Sequence, residues 1–176
     1  GLILGLTLIL GAAVLSGCGN GASNKKDTLT IGMTNAPESF NPLFNPGTAG
    51  QFTARFMYDT LLGMPEQNKF TPHLADSFET QDNQIFTIKL IPKAKWTYGR
   101  SVTADDVVFT LNIIANPKVE TSKGRYIMML EGVNNVGKLE QGTEIPGLRA
   151  IDDHTVVLRT KRPVDPNYIK SLLGLE

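Results

Sequence analysis

The 176-residue chain reads as a mixed α/β body, on three observations. Strand-type alternation and helix-type spacing are interleaved along it, not segregated into blocks. Gly, Pro, Asn and Asp punctuate the joins between those segments. No internal repeat, coiled-coil heptad or low-complexity tract occurs, so each element must bury its apolar side against a different neighbour.

In chain order, Leu2 to Leu15 is built from Leu, Ile, Val, Ala and Gly, with Thr7 its one polar side chain. That is the length of a signal-peptide h-region and short of the ~20 residues a membrane-spanning helix needs. Ser16 and Gly17 are small enough for a peptidase to approach, and Cys18, the only cysteine, follows. Gly19 to Asp27 (GNGASNKKD) is small and polar, as a flexible tether is. Thr28 to Met33 alternates polar and apolar, which predicts a strand. Pro37, Pro42 and Pro46 make the stretch from Asn35 to Pro46 irregular backbone. Phe52, Phe56, Tyr58 and Leu62 stand at helical spacings and predict a helix from Gln51 to Leu62.

Further along, Phe86, Ile88 and Leu90 point to one side of a predicted strand, with Thr87 and Lys89 to the other. Asp82-Asn83 before it is turn chemistry, and Gly99 after it tolerates a positive φ. Thr103 with Asp106 three residues on predicts a capped helix to about Ala115. Its apolar face is Val107, Val108, Leu111 and Ile114, and Asn116-Pro117 stops it. Thr155 to Thr160 predicts a strand, and Asp165-Pro166 the start of a short helix.

Seventeen basic and seventeen acidic residues balance, with no basic stripe, so nucleic acid is not an expected partner. No Gly-rich phosphate loop occurs. His73 and His154 have no Cys or acidic partner at metal-ligand spacing, so no metal or other cofactor is expected. Asp105-Asp106 and Asp152-Asp153 are adjacent pairs suited to capping and turns, whereas acid–base work needs two carboxyls held apart by a fold. Trp96 is expected in the core or between strands. Arg55, Arg125 and Arg149 are expected to be solvated.

Several segments carry a family resemblance. Leu15-Ser16-Gly17-Cys18 resembles the lipobox of bacterial lipoproteins. Pro72-His73-Leu74-Ala75-Asp76-Ser77-Phe78-Glu79, Ile85 to Leu90, Ala94-Lys95-Trp96, Gly99 and Val102 to Phe109 follow one another in fixed order. Ser39-Phe40-Asn41-Pro42, Tyr58-Asp59-Thr60-Leu61 and Ala150-Ile151-Asp152-Asp153-His154-Thr155-Val156 flank them. Together they resemble the family 5 extracytoplasmic solute-binding proteins, the dipeptide and oligopeptide receptors of ABC importers. One departure is Tyr98-Gly99, where that family usually has Asp-Gly.

The lipobox resemblance implies cleavage between Gly17 and Cys18 and a diacylglyceryl group on the Cys18 thiol. Two chains anchor stably where one holds only reversibly. The family resemblance implies part of a type II periplasmic-binding-protein clamshell with an extra small N-terminal α/β domain. It implies no enzyme, a peptide ligand, an ABC permease and ATPase complex as partner, and the outer side of a bacterial cell membrane as location. Asn35, Ala36, Pro37 and Glu38 match a stretch that contributes main-chain ligand contacts, although Pro37 cannot donate. The expected divisions are 1–17 signal peptide, 18–27 lipidated cysteine and tether, and 28–176 the N-terminal part of the binding domain. Other ligands on this scaffold (nickel chelate, haem, sugar), a peptide-sensing lipoprotein and a surface hydrolase remain open alternatives.

Gly1 stands where Met would, no Lys or Arg precedes Lys25, and the chain ends in Leu173-Gly174-Leu175-Glu176. Both ends read as truncated. Leu172, Leu173 and Leu175 are then expected to lie exposed, facing an absent lobe.

Overall fold

The structure, a computed structural model, describes residues 30–44, 47–66 and 69–174. Gly17, Cys18 and the apolar segment before them lie outside the described residues, as does the whole of the expected tether to Asp27. The chain divides into two units, Gly1–Met33 and Thr34–Glu176. In the first, the described residues Thr30 to Met33 are exposed irregular backbone where a strand was expected.

The second unit opens with irregular backbone, as its prolines require. Asn41 folds it into a turn, its side chain accepting from the Leu43 N–H at 3.0 Å. Helix α1 spans Gly47–Met57, starting and ending earlier than the predicted Gln51–Leu62. The reason is which face it buries. Gly50 and Ala54 are the buried positions, while Phe52 and Phe56 stack edge to face on the exposed side. Leu62, read as the helix's last apolar residue, is instead the buried start of strand β1.

Strands β1 (Leu62–Glu66) and β2 (Lys69–Pro72) form an antiparallel pair by themselves. Strands β3 (Ala75–Thr80), β4 (Ile85–Leu90), β5 (Leu148–Asp152) and β6 (Thr155–Arg159) form an antiparallel sheet in the order β3-β4-β6-β5. β4 alternates as its sequence predicts, with Phe86, Ile88 and Leu90 buried. The β3–β4 turn is set by Asp82, whose carboxylate accepts from the N–H groups of Ile85 at 2.7 Å and Gln84 at 2.9 Å. Those two bonds hold its carboxyl below the ordinary carboxylate range. Asn83 takes the left-handed conformation beside it, with φ 57°. The β5–β6 turn repeats the device, Asp152 accepting from the His154 N–H at 2.8 Å.

Helix α2 covers Ala104–Ala115, within a residue of the predicted span. Leu111 and Ile114 are buried and Val107 and Val108 pack against the core. Its last turn carries no basic residue. Lys138 supplies the missing charge from elsewhere in the chain, donating to the carbonyls of Ile114, Asn116 and Val119 at 2.8, 3.2 and 2.6 Å. A cation on orphan carbonyls is favoured by the helix dipole. Short helix α3 (Gly124–Ile127) follows. Helix α4 (Pro166–Leu173) begins as predicted, with Asp165 capping through the Asn167 N–H at 2.8 Å and Pro166 in the first turn.

One apolar cluster joins the inner sheet face (Phe86, Ile88, Val156, Leu158) to α2 and to Ile169, Leu172 and Leu173 of α4. Leu172 and Leu173 are therefore buried, against the expectation of an exposed C-terminal face. α4 turns its apolar side onto the sheet that this same chain provides. Leu175 lies outside the described residues. Among the described residues, no helix is long and apolar enough to cross a membrane.

Candidate functional site

The residue with the most polar partners near a recess is Asp106, in the first turn of α2. Its position follows from the capping box, which brings the N3 carboxylate back to the N-cap. Oδ2 accepts from the Thr103 N–H at 2.9 Å and the Thr103 hydroxyl at 3.3 Å. It also accepts from the Trp96 indole N–H at 3.2 Å, while Oδ1 accepts from the Arg100 guanidinium at 2.6 Å. Burial raises the Asp106 pKa, but the bonds from Arg100, Thr103 and Trp96 outweigh it and bring the group down to about 2. Arg100 is held above its ordinary value, first by that bond and then by its bond to the Tyr98 hydroxyl.

Trp96, Tyr98 and Arg100 come from one tight hairpin, closed by the Lys95–Ser101 bridge. Gly99 sits at φ 93°, which only glycine adopts without strain. The departure from Asp-Gly at this turn thus leaves the turn intact, and Tyr98 stacks near Trp96 with ring centroids 6.4 Å apart. Trp96 is 38% exposed, not a core residue as expected, because its N–H must reach Asp106 at the rim.

Beside this hub lies a cavity of about 390 Å³. Its walls come from Asn41 to Leu43, from Tyr58 to Leu61 between α1 and β1, from the α2 face bearing Val107, Leu111 and Ile114, and from Leu172 and Leu173 of α4. Trp96, Asp106, Lys123 and Tyr126 line it as well, with Asp59 and Thr110. The Thr121 hydroxyl donates to the Leu43 carbonyl and ties the entry segment to the loop after α2. The lining is mostly apolar with a few convergent polar groups, the make-up of a small ligand site.

The residues named from sequence fall as follows. Asn35, Ala36 and Glu38 are exposed and Pro37 half-buried, on the irregular segment leading into Asn41. None of the four lines the cavity. His73 pairs through Nδ1 with Asp59, at the surface as expected of a lone histidine. His154, Asp152 and Asp153 border a second, open groove with Asp76 and Lys89. Among the described residues, no three His, Cys, Asp or Glu side chains converge as a metal site would require. The cavity residues Asn41, Pro42 and Tyr58 to Leu61 belong to segments quoted for the family resemblance, but local pattern does not tell which side they face.

The fold is a mixed α/β body with an apolar recess fringed by hydrogen-bonding groups. A model of the bacterial extracellular solute-binding proteins, family 5, middle part, matches residues 69–175, and the chain belongs to that family. The periplasmic oligopeptide-binding protein OppA of Haemophilus influenzae is 30% identical over 145 residues, covering 80% of this chain and 27% of its own. The periplasmic murein peptide-binding protein MppA of Escherichia coli is 28% identical over 143 residues, covering 80% and 26%. In three dimensions, H. influenzae OppA in complex with RPPGFSPFR matches with a TM-score of 0.68 at 28% identity, over 78% of this chain and 28% of that one. The E. coli murein tripeptide-binding protein MppA matches at 0.69 and 27%, over 81% and 28%. The chain therefore spans about a quarter of the length of the relatives it matches.

Proposed function

We propose that the whole protein is a lipid-anchored extracytoplasmic receptor that binds peptides and delivers them to an ABC permease and ATPase complex. The observation that carries this reading is the family match over residues 69–175, joined to relatives that are peptide-binding proteins by name. The ligand lies in the cleft of a two-lobed clamshell, and the exposed main chain at Asn35, Ala36 and Glu38 contributes hydrogen bonds to it. Main-chain groups are common to all peptides, so recognition through them fits a broad specificity. Cleavage after Gly17 leaves Cys18 as the diacylated first residue, and the polar residues up to Asp27 serve as the tether. The protein then works on the outer side of the cell membrane, at the periplasmic side or the cell surface, and does no chemistry on its ligand.

Titration calorimetry of the purified full-length protein with RPPGFSPFR and with di- to pentapeptides tests the ligand. Saturable heat with at least one length class is expected. A folded full-length protein giving no saturable heat with any of them overturns the peptide reading. Mass spectrometry of the membrane-bound protein tests the anchor, with an acylated N-terminal Cys18 expected. Cys18→Ala is expected to leave the precursor unprocessed, and a free thiol at Cys18 in the membrane fraction refutes the anchor.

A further inference from the structure

The cavity beside α2 offers a ligand mainly carbon surface, because several polar groups in its wall are engaged within the protein. Asp106 already holds four donors, Arg100 among them. Asp59 pairs with His73 and accepts from the Thr60 N–H at 2.9 Å. The Thr60 hydroxyl donates to the Leu62 carbonyl, and the Thr110 hydroxyl to the Asp106 carbonyl, each at 2.8 Å. A charged group brought among them gives up its water for little in return. An apolar group gains from the same transfer, and Leu43, Val107, Leu111, Leu172 and Leu173 are there to meet it.

Size and place narrow the occupant. At about 390 Å³ the cavity stands at the small end of the ~300–1,000 Å³ range of small-molecule sites, which suits one bulky side chain. Its wall begins at Asn41, three residues after Glu38, so the two lie within ~11 Å of each other. The Asn41 N–H donates to the Ser39 hydroxyl at 3.1 Å, which shortens that connection further. A peptide lying along the main chain of Asn35 to Glu38 advances about 3.3 Å per residue, so one of its next side chains comes within reach of the cavity.

We infer that the cavity receives one large apolar side chain of the bound peptide and sets a preference for it. The inference rests on the peptide reading above and adds selectivity to it. Main-chain contacts treat all peptides alike, whereas an apolar wall discriminates among side chains. Trp96 gives the rim an ordered ring, held by the N–H bond to Asp106, and a pre-ordered wall keeps the ordering cost of binding low. Lys123 brings a positive charge to the wall, which makes an acidic side chain the competing occupant.

Titration calorimetry of the full-length protein tests this, with alanine pentapeptides carrying Phe, Glu or Lys at each position in turn. Phe at one position is expected to tighten binding at least tenfold over Ala there, the scale of burying one such side chain. Glu and Lys at that position are expected to bind no tighter than Ala. No gain from Phe at any position overturns the inference, and the peptide reading stands as long as the alanine peptides or RPPGFSPFR give saturable heat. No saturable heat with any of these peptides removes the peptide reading and the inference together. A gain from Glu in place of Phe assigns the cavity to acidic side chains and refutes the apolar preference. Thr110→Trp, an exposed position in the cavity wall, supplies a second measurement. With folding verified by circular dichroism, it is expected to bring the affinities for the Phe and Ala peptides within twofold of each other. A preference that survives this substitution lies elsewhere in the protein and overturns the inference as well.

Discussion

Asp106 gathers four donors onto one carboxylate, and its titration is the residue-scale consequence. Its folded pKa, about 2, lies below the ordinary 3.8, so the unfolded chain binds the proton more readily. The stabilisation is present above pH 4 and is lost as pH falls from about 4 through about 2. Allowing for screening at the half-exposed Arg100, it amounts to about 1–2 kcal/mol. Asp106→Asn is expected to lower stability by that order at pH 7, and chemical denaturation of variant and parent should converge near pH 2. A gap that stays constant from pH 7 to pH 2 contradicts the role given to the charge. The sequence pointed to Asp106 as a cap, because a capping box is local. It did not reveal that Trp96 and Arg100 share the carboxylate, since hairpin and helix meet only in the fold. For the same reason Trp96 was expected inside and stands at the cavity rim.

At the scale of elements, what was legible was whatever a short window determines. The alternation in β4, the cap and apolar face of α2, and the Asp165-Pro166 start of α4 all fall where the sequence places them. α1 starts and ends earlier than the spacing of its aromatic residues predicts, because small residues, Gly50 and Ala54, fill its inward face. The β1–β2 pair went unread because Pro65 and Gly63 break any alternation. Lys138 was equally invisible, lying 24 residues beyond the Ile114 carbonyl that it caps. Lys138→Met is expected to cost roughly 2 kcal/mol, because three carbonyls lose a charged donor. Lys138→Arg should recover part of that loss in urea unfolding. A loss below about 0.5 kcal/mol, the range of ordinary surface changes, shows the cap to be unimportant. On the buried face of α2, Leu111→Asp is expected to cost several kcal/mol, since it places an unpaired charge among Ile114, Leu172 and Leu173.

For the whole molecule, the question is what residues 28–176 can do on their own. They hold a four-stranded sheet with α2 and α4 packed on one face, and that core is continuous from Leu62 to Leu173. A continuous core supplies the cooperativity of a folded body. They also carry the phenylalanine face of α1 with nothing described against it, and a cavity of about 390 Å³, too small to enclose an extended nonapeptide. A peptide held between two lobes loses most of its contacts when one lobe is missing, and affinity falls steeply because the ordering cost of the peptide is unchanged. The isolated segment 28–176 is therefore expected to show strand and helix signals by circular dichroism, to give no saturable heat with RPPGFSPFR, and to self-associate. Phe52→Ser with Phe56→Ser should shift sedimentation toward the monomer while leaving the circular dichroism unchanged, because neither ring belongs to the buried core. Micromolar peptide binding by the isolated segment would place the whole recognition site within residues 28–176 and remove the need for a second lobe.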